Sequence, residues 1–131
     1  MKKFALLIAA ASLLITSPAM AEQMQTFKSG SELQMNCAAL NAPLKTDTKI
    51  LLDATCLNYI KGVFDLHQTL VGRKIIEPHI CKPADADLGQ MARTIIQYIE
   101  ANQEKAETTA SSLILPALSV AYPCTELPSS Q

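Results

Sequence analysis

The sequence predicts an all-α fold, a small disulfide-stapled bundle of about four helices with a long central helix. Apolar residues recur every three or four positions over most of the chain after residue 28, and no useful length alternates with period two. Prolines and polar turns divide this pattern into segments whose short connections favour antiparallel neighbours. All four cysteines lie within or beside these segments.

The first predicted helix opens at the stretch SGSELQMNCAAL. Ser29 followed three residues later by Glu32 is typical of a capping box, in which each residue satisfies a backbone amide of the other. Helical spacing then recurs at Leu33, at Asn36 or Cys37, and at Leu40. The proline of NAPLKT ends the segment.

The second predicted helix runs from about Asp47 to Val71 and would span roughly 35–40 Å. Its apolar residues form two adjacent stripes, and this wide apolar face predicts a helix packed on two sides. Gly72 is predicted to follow the helix as its C′ residue. The stripes are Ile50, Ala54, Leu57, Ile60, Phe64 and Val71, and Leu52, Cys56, Tyr59, Val63, Leu66 and Leu70.

Gly62 lies inside this second helix, where glycine costs about 1 kcal/mol relative to alanine. Because glycine lacks a Cβ, another backbone can approach it closely. We therefore expect Tyr59 and Gly62 to mark a helix-packing face, against a neighbouring helix or a second copy of the chain. The alternative is a tolerated surface glycine.

The third helix begins near Asp87, which forms a capping pair with Gln90. Its apolar residues recur at helical spacing, at Leu88, Met91, Ala92, Ile95 and Ile99. The stretch ANQEK is predicted to be a polar turn. A fourth helix is expected from about Glu104 to Ala121, with a kink at Pro116 because proline removes one helical hydrogen bond.

Residues 1–21 are predicted to be a cleavable signal peptide. Lys2 and Lys3 precede the apolar stretch FALLIAAASLLI, and Ala19-Met20-Ala21 has the small-x-small pattern of a cleavage site. The apolar stretch is shorter than the roughly 20 residues of a membrane span, although a retained anchor is the alternative. We expect cleavage after Ala21, export to the periplasm and a single domain from residue 22 to residue 131.

Composition and motifs argue against several classes of function. Without Lys2 and Lys3 the chain has 9 basic and 12 acidic residues, and no basic run predicts nucleic-acid or membrane binding. No nucleophile-elbow, zincin, P-loop or dinucleotide motif is present. His67 is expected to pack in the second helix and His79 to be solvated. We therefore expect no catalytic residue, no metal site and no cofactor.

The cysteines Cys37, Cys56, Cys81 and Cys124 are expected to form two disulfides in an oxidising compartment. Zinc is the weaker alternative, because no C-x₂-C or H-x₃₋₅-H spacing occurs. Four cysteines allow three pairings. The helix layout favours Cys37–Cys56 across a short turn, and Cys81–Cys124 at one end of an antiparallel pair of helices.

The stretches CLNYIKGVFD, CKP and LGQMARTIIQYIEANQEKAETTASSLILPALSVAYPC resemble the Rap1a/Tai family of type VI secretion amidase immunity proteins. The family pattern is C-x-x-Y-(I/V)-x-G, a Cys-x-Pro step, a Gln-led helix ending in Tyr-(L/I), an Asn/His-Pro-Glu-like turn, an A-x-x-L-x-x-x-A-L helix and a final Pro-Cys. The resemblance covers Ser29 to Cys124. Two features depart from the pattern: the turn Asn102-Gln103-Glu104 has no proline, and Pro116 interrupts the last helix.

The resemblance implies a small periplasmic helical protein, often dimeric, that binds and sterically blocks a peptidoglycan amidase delivered by neighbouring cells. The turn Asn102, Gln103, Glu104 and Lys105 is the predicted contact with the amidase; an ordinary solvated connection is the alternative. The other function to test is an HdeA-like periplasmic acid-stress chaperone, and a subunit of an envelope complex is a third.

Overall fold

A computed structural model describes residues 28–43 and 46–124. Four α-helices follow one another along these residues, and they contain no strand, only an isolated bridge between Ser29 and Thr109. The prediction of an all-α bundle is confirmed. The predicted signal peptide and its cleavage site lie outside the described residues. The helices are α1 (Gly30–Cys37), α2 (Asp47–Gly72), α3 (Leu88–Ala101) and α4 (Ala110–Ala121), with 3₁₀ turns at Ala38–Asn41 and Gln103–Lys105.

Both predicted capping boxes are present. The Ser29 amide donates to Glu32 Oε2 at 2.8 Å, and the Glu32 amide donates to Ser29 Oγ at 3.2 Å. At the start of α3, the Asp87 and Gln90 amides donate to each other's side-chain oxygens at 2.9 and 2.8 Å. These bonds satisfy amides that a helix start otherwise leaves without partners, which is why both starts were predictable.

The end of α2 differs from the prediction. Gly72 is the last helical residue rather than the C′ residue, and Lys74 adopts the left-handed conformation with φ 57°. The Lys74 amide donates to Val71 O and the Ile75 amide to Leu70 O, each at 2.9 Å, which is the bonding pattern of a Schellman motif. The motif therefore lies two residues later than predicted, with lysine in the position that glycine usually takes.

The start of α4 also differs. The helix begins at Ala110 rather than near Glu104, because the preceding backbone bonds to the start of α1. The Gly30 amide donates to Thr108 O at 3.0 Å, and the Ser31 amide donates to Ala106 O at 2.8 Å. These carbonyls accept from the first amides of α1, which have no partner within their own helix. The backbone at residues 106–108 is thus held by the need of the α1 amides for acceptors, although α1 lies about 75 residues earlier in the sequence.

The core is almost entirely apolar and lies between the four helices. Its largest fully buried side chains are Leu33, Ile60, Ile95, Ile99, Ile114 and Leu118. The expectation that α2 packs on two sides is met only in part. The helix contacts α1, α3 and α4, and Cys56, Ile60 and His67 are its buried residues. One residue of each predicted stripe, Ile50 and Leu66, is 60% exposed, so the two stripes are not fully covered. None of the described helices combines the length and apolar character that a membrane crossing requires.

Candidate partner-binding surface

Two disulfides hold the ends of the bundle together. Cys37 at the end of α1 is bonded to Cys56 in α2, and Cys81 before α3 is bonded to Cys124 after α4. The Cys81 amide also donates to Tyr122 O at 2.8 Å, so backbone and sulfur join the same two segments. These are the two pairs that the helix layout favours. The first disulfide fixes α1 against α2, and the second fixes the segment before α3 against the segment after α4.

The turn predicted to contact a partner, Asn102 to Lys105, closes the end of α3. Asn102 Nδ2 donates to Tyr98 O at 2.8 Å, and Gln103 Nε2 donates to Ile99 O at 2.9 Å. Both carbonyls lie in the last turn of α3, where helical i+4 amides are lacking, and Ile99 O also accepts from the Asn102 amide at 3.0 Å. Asn102 and Gln103 therefore have a structural role, which the sequence did not predict.

Glu104 and Lys105 remain available on the same turn. Their side chains are 68% and 53% exposed, and Lys105 Nζ lies 3.9 Å from Glu104 Oε1. An exposed pair at this distance contributes little stability. The turn can therefore offer one negative and one positive side chain to a partner, on a backbone held by the cap of α3.

A groove begins beside this turn and runs between α1 and α3. It encloses about 380 Å³, and the Gln103 side chain connects it to the turn by donating to Gln34 Oε1 at 3.4 Å. The sequence prediction missed this groove, although the polar spacing of Arg93, Gln97 and Glu100 marks that face of α3. The lining residues are Gln34, Cys37, Ala38, Leu40, Asn41, Arg93, Ile96, Gln97 and Glu100.

Gly62 and Tyr59 lie in different environments. A Cβ built on Gly62 would meet nothing within 4 Å, so the expected approach of a neighbouring helix is absent among the described residues. Packing against a second copy stays a prediction. Tyr59 is half-buried against the core, and Lys28 Nζ lies 5.7 Å from the centre of its ring. Tyr59 thus joins α2 to the segment that precedes α1.

The outer face of α2 carries exposed apolar side chains on both sides of Gly62. Leu51, Gly62 and Leu66 share one face by their spacing, and the two leucines are largely exposed. The two leucines lie about 22 Å apart along α2, with Thr55 and Asn58 between them, so they are two separate exposed apolar side chains on one helix face. This face is the second candidate surface of the molecule.

His67 is the only buried polar residue among those described, with 4% of its surface exposed. Its ring stacks on Phe64 with 6.3 Å between the centroids, and its Nδ1 atom has no hydrogen-bond partner. Burial, with a smaller contribution from the charge of His79, lowers the pKa of His67 below its usual 6.5. The packed histidine expected from the sequence is confirmed, and His79 is exposed as expected.

Within residues 28–43 and 46–124, no three histidine, cysteine or acidic residues are grouped so that they could hold a metal ion. The groups that the surface presents are instead charged, amide and apolar side chains around a groove and along a helix. Such groups recognise another molecule through shape, charge and hydrogen bonds.

Comparison with known proteins identifies the family. The family model of the Rap1a immunity proteins matches residues 29–124, which are most of the chain. A search of curated proteins gives no significant match. Together with the two disulfides, the family match indicates an extracytoplasmic protein whose partner is a protein effector. The chain belongs to the Rap1a immunity protein family, and an effector–immunity role follows from that membership.

Proposed function

We propose that this protein protects the periplasm from a peptidoglycan amidase delivered by a type VI secretion system, by binding the amidase and covering its catalytic groove. The observation that carries the proposal is the match of residues 29–124 to the Rap1a immunity proteins. In this proposal residues 1–21 are a signal peptide cleaved after Ala21. Residues 22–131 are then a single domain in the compartment that the amidase attacks.

The inhibition is steric and requires no chemistry from this chain. A partner that covers a catalytic groove must keep its shape, and a preorganised surface loses less conformational entropy on binding. The disulfides and the apolar core supply that rigidity. Glu104 and Lys105 are the members of the predicted turn that contact the amidase, while Asn102 and Gln103 hold the turn in place.

A homodimer through the outer face of α2 belongs to the same proposal. Gly62 leaves room for a second backbone, and the exposed Leu66 one turn later supplies an apolar contact, with Leu51 exposed about 16 Å before Gly62 on the same face. Lys61 pairs with Asp65 of its own helix, and in an antiparallel two-fold pair centred on Gly62 it would also lie close to Asp65 of the other copy. The opposite charges would then reinforce the apolar contact.

The test uses processed protein (residues 22–131) and the amidase that the proposal expects to be encoded beside its gene; absence of such a gene would itself count against the proposal. Peptidoglycan cleavage is measured while the protein is titrated into the amidase. We expect cleavage to stop at one copy per amidase molecule. Undiminished cleavage at a threefold excess would overturn the proposal.

A charge-swapped pair of variants locates the contact. Glu104→Lys combined with Lys105→Glu should raise the concentration needed for half-inhibition at least tenfold, because complementary charges across the interface become repulsive. Glu77→Lys is the control, since Glu77 is exposed on the connection between α2 and α3. Equal potency of both variants would exclude the turn as the contact.

A further inference from the structure

The groove between α1 and α3 has a defined direction. Gln34 contacts Gln103, which follows α3, so the Glu100 end of the groove lies beside the 102–105 turn. Arg93 lies seven residues, or two helical turns, before Glu100. At 1.5 Å per residue, the two positions are about 10.5 Å apart along α3. The groove therefore has two distinguishable ends.

The floor and the rim of the groove differ in chemistry. Leu40 and Ile96 pack against the core at its base, beside the buried Cys37 of the first disulfide. Gln34, Asn41 and Gln97 also line it with side-chain amides, and Asn41 and Gln97 are exposed at its rim. An apolar floor with amide groups at the rim suits a polypeptide segment, whose side chains can be buried while its backbone groups are hydrogen-bonded.

Opposite charges mark the two ends. Arg93 and Glu100 are exposed, and neither forms an ion pair within the part of the chain that the structure describes. A segment lying along the groove would meet a positive group at one end and a negative group at the other. Charged groups arranged in this way set the orientation and register of a bound partner.

We propose that this groove receives an extended segment of the protein partner, with an acidic residue at the Arg93 end and a basic residue at the Glu100 end. The proposal rests on the proposed function and adds the surface that fixes the orientation of the partner. A distance of about 10.5 Å corresponds to about three residues of extended chain. The volume of about 380 Å³ falls within the range of sites that bind small ligands and short segments.

The groove and the 102–105 turn form one continuous surface. Because the basic end of the partner segment lies at Glu100, the segment leaves the groove beside Glu104 and Lys105. The turn alone offers two side chains and no concave surface. With the groove, the partner gains a buried apolar contact, which usually supplies most of the binding energy of an interface.

The experiment measures binding of the same amidase by calorimetry to the processed chain and its variants. Arg93→Glu and Glu100→Lys should each weaken binding at least tenfold. Ala38→Trp should weaken it further, because Ala38 lines the groove and the indole would occupy it. Ala84→Trp is the steric control, since Ala84 is exposed on the connection before α3. Circular dichroism melting shows whether each variant is folded.

The outcomes separate this inference from the function on which it rests. If the unmodified protein inhibits the amidase and all three groove variants bind it with dissociation constants within twofold of the unmodified value, the proposed role of the groove is wrong and the proposed function stands. If the unmodified protein neither binds nor inhibits the amidase, the proposed function fails and the inference fails with it. Loss of binding in the folded groove variants, with Ala84→Trp unchanged, supports both.

Discussion

Helix α2 and the pair formed by α3 and α4 use their apolar residues differently. The 26 residues of α2 bury three side chains, whereas the 14 residues of α3 bury four and the 12 residues of α4 bury five. In α3 the apolar residues fall on one face, which the core covers. In α2 they are spread around the helix, and the bundle covers only part of them. The shorter helices α3 and α4 thus bury more side chains for their length, and α2 leaves more of its apolar residues exposed.

The largest predicted effect is on the free energy of unfolding, and it comes from comparing a charge at a buried position with one at an exposed position. Ile95→Asp places a carboxylate in the apolar core, because Ile95 is fully buried. A charge there without a partner should cost at least about 4 kcal/mol of unfolding free energy. Leu51→Asp on the outer face of α2 should change it by less than about 0.5 kcal/mol. Urea unfolding measures both, and a similar loss in the two variants would refute the contrast between the helices.

Each disulfide ties a different part of the molecule. In the chain-entropy relation, a 19-residue loop for Cys37–Cys56 and a 43-residue loop for Cys81–Cys124 are worth about 3 and 4 kcal/mol. Replacing both cysteines of one pair by alanine should therefore lower the melting temperature by more than about 10 °C. Calorimetry of the two double variants checks this. A decrease in melting temperature of less than about 3 °C for either double variant would show that this disulfide does not stabilise the fold.

Two glycines give a matched test of packing. A Cβ on Gly30 would collide with Leu113 Cδ1 and lie 2.7 Å from Ala106 O, so Gly30→Ala should cost about 1–3 kcal/mol. Gly62 has open space around it, and Gly62→Ala should stabilise the monomer by about 0.5–1 kcal/mol through better helix propensity. Thermal melting measures both variants. A higher melting temperature for Gly30→Ala, or a lower one for Gly62→Ala, would contradict this account of the packing.

We expect His67 to make the stability of the fold depend on pH. Its pKa is lower in the folded protein than the 6.5 of the unfolded chain, so the unfolded state binds the proton more readily. The contribution of neutral His67 is complete above pH 6.5 and is lost as pH falls, by at most about 1.4 kcal/mol per pH unit. Among the titratable groups described, His79 is the one whose charge acts on His67.

Urea midpoints at pH 7, 6 and 5 measure this dependence. His67→Gln should flatten the pH slope between pH 6.5 and 5, whereas His79→Gln should keep most of it, because burial is the main cause of the shift. Identical slopes for His67→Gln and the unmodified protein would show that His67 does not couple folding to pH. The acid-chaperone alternative requires exposure of apolar surface near pH 2–3, and binding of a hydrophobic dye at that pH and at pH 7 tests it separately.

The sequence predicted features that depend on nearby residues. The capping boxes at Ser29 and Asp87 were found because each needs only residues three positions apart. The disulfide pairs followed from the order of the helices. The start of α4 was missed because Ala106 and Thr108 bond to the distant start of α1. The burial of the apolar side chains of α2 was overestimated. An apolar stripe predicts a face that can be buried, but it does not show whether the other helices are long enough to cover it.

The candidate surface was predicted less completely than the fold. The 102–105 turn was correctly placed after α3, yet the capping roles of Asn102 and Gln103 depend on carbonyl positions that exist only in the folded helix end. The groove requires α1 and α3 to lie side by side, and no sequence spacing gives that distance. Polar residues on the exposed side of α3 were visible, but an ordinary solvated face has the same pattern.

The most direct test of the central claim, that a rigid surface of this protein covers an amidase, is hydrogen exchange of the processed chain alone and with equimolar amidase. The account predicts added protection at residues 38–41, which line the groove, and at residues 102–105, which form the turn. Exchange in the core segment 113–118 should be unchanged. Exchange that is the same in every segment with and without the amidase would contradict it.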